Sequence, residues 1–211
     1  MKLPTRKDAL EWSRLRAFRH KVDRARLLVD QAFQVNSSWY VALSGGKDST
    51  CVLDLVRAAQ PDTPAQFSAR EWELPETVEY LRSVPNLRKT AYMGHDGEHE
   101  WAQRWTDEAA YRRIHLTSSG PLFQAERDGK WRCNPITWWN VMDVWAYIYA
   151  REIPYNRAYD RMEQCGIPLS QQRIGPFAVA LQSGSGAILK RCWPEWWNEY
   201  IAKHPEARCY A

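Results

Sequence analysis

A short glycine-containing segment carries the residue types that could bind and act on phosphate groups. It reads S-G-G-K-D-S at residues 44–49 and lies between an apolar run and a helical pattern. Glycines let the backbone turn sharply, and N–H groups of such a turn and of a first helical turn bind anions. The segment therefore predicts a phosphate site formed by Ser44, Gly45, Gly46, Lys47, Asp48 and Ser49.

Lys47 and Asp48 are the candidate catalytic residues of this segment, with Lys47 supplying a positive charge. A carboxylate is unusual in an anion site, and two roles fit it. Asp48 either caps local N–H groups or binds Mg²⁺ beside a phosphate. The segment is not a Walker A loop, because Asp48 follows Lys47 where that loop has Ser or Thr.

Alternating strands and helices must position the segment. The apolar run at residues 39–43 predicts a strand buried on both faces, and residues 50–59 predict a helix. Residues 65–69 and 88–93 predict further strands, with a helix starting at Pro75 between them. Such alternation implies a parallel sheet covered on both sides, which binds ligands at the carboxyl ends of its strands.

Helical patterns flank this core. Apolar spacing predicts one or two amphipathic helices between Thr5 and Phe33, a helix that carries Trp101 and Trp105, and a strong helix at residues 141–149. Composition shows no break, which predicts a single domain over 1–211. Its parts are a basic helical segment at 1–35, a nucleotide-binding α/β core at 36–152 and a helical and loop part at 153–211.

The first thirty residues are basic, with nine Lys or Arg against four acids. Such a segment faces nucleic acid, a phosphorylated substrate or an acidic partner, packs in a homodimer, or is a solvated helix face. No apolar run reaches the ~20 residues of a membrane span, and the start lacks the core of a signal peptide. These features predict a cytoplasmic protein, and its five cysteines, without C-x-x-C, predict neither disulfides nor a zinc ribbon.

The segment S-G-G-x-D-S after a strand resembles the PP-loop, or adenine-nucleotide α-hydrolase-like, superfamily. Three later segments resemble the phosphoadenosine phosphosulfate (PAPS) reductase family, in the family's order. L-P-E-T at 74–77 is similar to F-P-E-T, and I-P-Y-N-x-x-Y-D at 153–160 is similar to L-P-Y-N-x-L-Y-D. Residues 134–148 are similar to H-P-L-x-x-W-T-x-x-D-V-W-x-Y-I, in which we interpret Trp145 and Tyr147 as packing residues.

The resemblance implies an α/β fold with a mostly parallel five-stranded sheet and helices on both faces, to which the flanking patterns add helical N- and C-terminal extensions. It also implies that the 44–49 loop holds the phosphate end of an adenine nucleotide, ATP or PAPS. We expect Mg²⁺ at Asp48 beside that phosphate.

The departures from the family concern its reaction. Its reductases use a nucleophilic cysteine in E-C-G-L-H, whereas this chain has E-A-R-C-Y-A at 206–211. The Cys-Cys and C-x-x-C pairs of the iron–sulfur branch are missing, so no iron–sulfur cluster is expected. A-R-E replaces the usual D-T-G at 69–71, and R-I-G-P replaces R-x-G-C at 173–176. The candidate substrate-site residues are Glu71, Arg173 and Cys209.

Three functions follow as hypotheses, the first two in the setting of sulfur metabolism and nucleotide chemistry. The first is an ATP-pyrophosphatase-type enzyme that activates or modifies an acceptor of unknown identity. The second is a thiol-dependent PAPS reductase that forms sulfite with Cys209 and thioredoxin. The third is a non-catalytic protein that binds a nucleotide, or binds nucleic acid through the basic segment.

Overall fold

The computed structural model describes residues 2–69, 72–91, 121–124, 129–174 and 186–210. The helices in these ranges are α1 Arg6–Ser13, α2 Arg16–Val35, α3 Lys47–Ala59, α4 Pro75–Ser83, α5 Val141–Ala150, α6 Ala158–Gln164, α7 Gly186–Cys192 and α8 Pro194–Lys203, with 3-10 helices at Leu169–Gln171 and Pro205–Tyr210. The strands are β1 Val41–Ala42, β2 Ala65–Ala69, β3 Leu87–Ala91, β4 Leu122–Gln124 and β5 Trp131–Cys133.

Strands β1, β2 and β3 form a parallel sheet in that order, with Val41 paired to Ala65 and Ala65 paired to Leu87. Both crossovers step in the same direction along the sheet, so right-handed connections place α3 and α4 on the same face. One apolar cluster joins this face to the two helices; it consists of Val41, Leu43, Leu53, Ala65, Phe67, Tyr80 and Leu81.

The predicted fold class, α/β with a parallel sheet, is confirmed. Of the five expected strands, the described residues contain three in this sheet, while β4 and β5 form a separate antiparallel pair. The predicted helix with Trp101 and Trp105 lies outside the described residues, as do positions 92 and 93 of the predicted third strand.

Two details of the first βα unit differ from the prediction. The strand was expected to be buried on both faces, but Ala42 is exposed and Tyr40 is 56% exposed, because α3 and α4 cover only the face of Val41 and Leu43. The helix was expected from residue 50, but it begins at Lys47, since Gly46 already serves as its extended N-cap residue.

The N-terminal segment forms two helices, as predicted. The first begins with a reciprocal capping arrangement, in which Thr5 Oγ1 accepts from the Asp8 N–H at 3.2 Å and the Asp8 carboxylate accepts from the Thr5 N–H at 2.9 Å. The second buries an apolar face against α3 and α5. None of the described helices is both long enough and apolar enough to cross a membrane.

Asp143, which is 1% exposed, connects these helices to α5. Its carboxylate accepts from Trp12 Nε1 at 3.1 Å, from Lys21 Nζ at 2.5 Å and from the Asn140 N–H at 2.8 Å. The predicted helix at 141–149 is confirmed, and so is the packing role of Trp145, which is fully buried. One side chain therefore caps α5 and holds both N-terminal helices against it.

Asp143→Ala is expected to lower the free energy of unfolding by about 3 kcal/mol, because it leaves Lys21 and Trp12 without their acceptor. Asp143→Asn keeps the shape and one acceptor oxygen, so its loss should be roughly half as large. Urea unfolding of both variants measures the difference. Equal losses in the two variants would contradict this expectation and show that the charge of Asp143 accounts for the whole effect.

Candidate functional site

The 44–49 loop lies at the carboxyl end of β1. The Leu43 N–H continues the strand pairing by donating to the Gln66 carbonyl at 2.9 Å, and the chain then turns into α3. Gly45 has φ +75°, a left-handed conformation that favours glycine. The first turn of α3 therefore faces the edge at which parallel sheets bind ligands.

The two serines close the loop from within. Ser49 Oγ donates to the Gly46 carbonyl at 2.9 Å and accepts from the Ser44 N–H at 3.2 Å. The two hydroxyl oxygens lie 3.1 Å apart, and Ser44 Oγ accepts from the Gly46 N–H at 3.3 Å. These bonds fix the turn, so the predicted serine residues shape the loop as well as line it.

Asn156 supports the loop from the other side. Its Nδ2 donates to the Gly45 carbonyl at 3.2 Å and to Thr77 Oγ1 at 2.8 Å, while its Oδ1 accepts from the Ala158 N–H at 3.0 Å. Asn156 and Thr77 are each 1% exposed. A buried amide with these partners satisfied holds the loop, α4 and α6 in one arrangement.

Tyr159 binds the start of α3. Its hydroxyl oxygen accepts from the Lys47 N–H at 3.0 Å and accepts a second backbone hydrogen bond from Ile174. Burial raises the pKa of this phenol above its usual range although the two backbone hydrogen bonds lower it, so the hydroxyl stays protonated. A Cβ atom at Gly46 would lie 2.8 Å from the Ile174 carbonyl oxygen, which only glycine permits.

Lys47 and Asp48 form the charged part of the site. The Lys47 side chain is 9% exposed, and its Nζ lies 3.1 Å from Asp48 Oδ2, whose side chain is 62% exposed. Lys47 Nζ also lies 5.6 Å from the Tyr159 ring centroid. The ammonium is thus mostly desolvated at a helix N-terminus, where it attracts an anion strongly.

The other predicted site residues are placed differently. Arg173 is exposed and precedes Ile174, whose carbonyl oxygen packs against Gly46, so Arg173 lies near the loop. Cys209 is exposed in the last 3-10 helix, which contacts α7 and α8, and its Sγ donates to the Glu206 carbonyl at 3.0 Å. Glu71 lies outside the described residues.

Three residues that support the loop had no predicted role: Thr77, Asn156 and Tyr159. Each belongs to a segment whose family resemblance was visible, 74–77 or 153–160, but no role was assigned to it. The structure shows that these segments converge on the 44–49 loop. The sequence signal for these residues was therefore that the family-like segments follow one another in the family's order along the chain.

Together these elements define an α/β protein with a glycine loop, and a lysine in the first turn of the following helix, at the carboxyl edge of a parallel sheet. The family model described as phosphoadenosine phosphosulfate reductase domain matches residues 38–115 and 103–177. The chain belongs to this family.

A solved structure shows the same fold. It is the crystal structure of phosphoadenylyl-sulfate (PAPS) reductase from Candida auris in its phosphate complex, with a TM-score of 0.53 and 18% sequence identity. The similarity covers 76% of this chain and 94% of that one. No curated protein matches the sequence.

Gly45→Ala is expected to lower the free energy of unfolding by about 2 kcal/mol, from the positive φ and from a Cβ contact of 3.1 Å with Thr77 Cγ2. Adding Thr77→Ser removes that methyl group, so the double variant should recover part of the loss. Urea unfolding provides the measurement.

Gly129→Ala is the matched control, because Gly129 also has a positive φ, +63°, yet among the described residues its Cβ would meet only Gln124 Nε2 at 3.9 Å. It isolates the cost of the backbone conformation. The close packing around Gly45 would be contradicted if the two alanine variants lost the same stability.

Proposed function

We propose that the 44–49 loop binds the phosphate groups of an adenine nucleotide, and that the protein is an ATP-pyrophosphatase-type enzyme that activates or modifies an acceptor. The observation that carries this is the mostly buried Lys47 ammonium at the first turn of α3, beside two tightly packed glycines. Membership of a family that acts on an adenine nucleotide supports it.

Lys47 and Asp48 have different roles in the proposed site. Lys47 exchanges Asp48 for a phosphate oxygen when the nucleotide enters, because a phosphate carries more charge than one carboxylate. Asp48 is then available, and its exposed carboxylate fits the common arrangement in which Mg²⁺ is held by one carboxylate and substrate phosphates. That ion would neutralise charge on the departing pyrophosphate.

In the proposed reaction, a nucleophile of the acceptor attacks the α-phosphorus of ATP. The bond from that phosphorus to the bridging oxygen breaks, the acceptor keeps AMP, and pyrophosphate leaves. The negative charge that develops on pyrophosphate is stabilised by Lys47 and by the N-terminus of α3, which the Tyr159 and Asn156 bonds hold in place before the substrate binds.

The second candidate is thiol-dependent reduction of PAPS to sulfite, and the family match favours it. The exposed Cys209 thiolate would attack the sulfonate sulfur, break its bond to the phosphate oxygen and release adenosine 3′,5′-bisphosphate. A thioredoxin-type dithiol would then reduce the resulting cysteine S-sulfonate, which releases sulfite, regenerates the thiol and leaves the dithiol as a disulfide. We rank it second because Cys209 lacks the Gly-Leu-His that follows the family nucleophile, and because it lies in a helix packed on the C-terminal helices.

Isothermal titration with ATP–Mg²⁺ and with PAPS tests the nucleotide site. Lys47→Met should weaken the binding of the preferred nucleotide by about 10- to 100-fold, since it removes a charge-assisted contact. Lys190→Met, at an exposed position on α7, is the matched control and should bind normally. Absence of binding to both nucleotides would contradict both candidates.

Asp48→Ala separates the two roles of the carboxylate. If Asp48 binds Mg²⁺, the variant should lose ATP affinity with Mg²⁺ present but not in EDTA, and it should no longer release pyrophosphate. Higher affinity under both conditions would mean that Asp48 only neutralises Lys47.

Cys209→Ser should leave pyrophosphate release unchanged; if it instead abolished thioredoxin-dependent sulfite release, the reductase would be the correct assignment.

A further inference from the structure

Helix α2 exposes a row of basic side chains. Residues 14–26 include six Lys or Arg and a single acid. Arg16, His20 and Arg24 recur every four residues and so share one face, with Arg19 beside them, and all four are exposed. From Arg16 to Arg24 this row extends about 12 Å along the helix.

Most other cations of the N-terminal segment have acidic partners, in the pairs Arg6–Glu152, Lys7–Glu11, Lys21–Asp143 and Arg26–Asp23. Within the described ranges, Arg14, Arg16 and Arg19 have none. No carboxylate of the described residues therefore neutralises these three charges. Arginine suits contacts to phosphate, because its planar guanidinium is weakly hydrated and donates two parallel hydrogen bonds.

An exposed aromatic ring adjoins this row. Trp138, in the turn before α5, is 38% exposed, and the guanidinium carbon of Arg24 lies 3.3 Å from its ring centroid. Trp138 does not belong to the core cluster that α2 and α5 share. Nucleic-acid bases stack on aromatic rings and on guanidinium planes.

We propose that Arg14, Arg16, Arg19, His20, Arg24 and Trp138, here termed the arginine surface, bind single-stranded nucleic acid. The arginines contact successive phosphates, and an unpaired base stacks at Trp138. The stacking contact favours a single strand, since the bases of a duplex are stacked on one another. The inference does not rest on the proposed function, because no residue of the 44–49 loop belongs to the arginine surface.

Fluorescence anisotropy with a short, labelled single-stranded oligonucleotide over a salt series tests the proposal. The triple variant Arg16→Gln, Arg19→Gln and Arg24→Gln, which removes three positive charges, should bind at least tenfold more weakly at low salt. Its slope of log K against log salt should become shallower by about 2, because each lost phosphate contact on a single strand contributes roughly 0.7.

The matched control removes three exposed charges elsewhere, with Arg82→Gln, Lys190→Gln and Arg208→Gln. It has the same net charge as the first triple variant and should bind the oligonucleotide as the wild type does. Equal weakening of both triple variants would overturn the proposal, because binding would then follow net charge and not the arginine surface.

Trp138→Ala should weaken single-strand binding by about tenfold with little change in the salt slope, since stacking involves no counterion release. An unchanged affinity, equal binding of a duplex of the same length, or tighter binding to anionic lipid vesicles than to the oligonucleotide would each overturn the assignment. Urea unfolding of every variant confirms that it is folded.

Lys47→Met separates this inference from the nucleotide site. The variant should bind the oligonucleotide normally even though its ATP binding is weakened. Loss of oligonucleotide binding in Lys47→Met would place the nucleic acid at the 44–49 loop and overturn the proposed surface.

Discussion

Buried backbone groups of the glycine loop need hydrogen-bond partners, and the arrangement of the molecule around the loop depends on this requirement. The Gly45 carbonyl and the Lys47 N–H are satisfied by Asn156 and Tyr159, which are each 1% exposed. An unsatisfied buried polar group costs about 1–3 kcal/mol, so these two side chains largely determine where α6 lies against the start of α3.

Hydrogen bonds between side chains connect the C-terminal helices to the site. Glu76, in the first turn of α4, accepts from Arg161 Nη1 at 3.1 Å and from Trp193 Nε1 at 3.0 Å. Because α4 also carries Thr77, the helices after residue 153 support the loop through two routes. The β1–α3 unit supplies the candidate phosphate contacts, and the later part of the chain supplies their rigidity, as preorganised electrostatic sites require.

The two regions that we propose to bind phosphates differ in how their positive charges are balanced. At the loop, one largely buried ammonium is balanced by an adjacent carboxylate, so an entering anion must compete with Asp48. On α2, Arg16, Arg19 and Arg24 have no acidic partner among the described residues, and their attraction for a polyanion is screened by salt. The first arrangement favours selective binding of one ligand, whereas the second favours extended and salt-sensitive contact.

The sequence by itself determined the strand–loop–helix unit, the helices on either side of it and the basic character of the first thirty residues, because apolar periodicity, glycine and local charge act over a few residues. It misplaced the start of α3 and the burial of β1, since these depend on how Gly46 caps the helix and on which face the helices cover.

Only the tertiary structure decided which residues support the loop: Asn156 lies 111 positions from Gly45, and Tyr159 lies 112 from Lys47. It also decided which cations are paired: Arg6 and Lys21 bind acids 146 and 122 residues away, whereas Arg16 and Arg19 have no acidic partner within the described ranges. Contacts over such distances follow from packing of the whole chain, which no local pattern encodes.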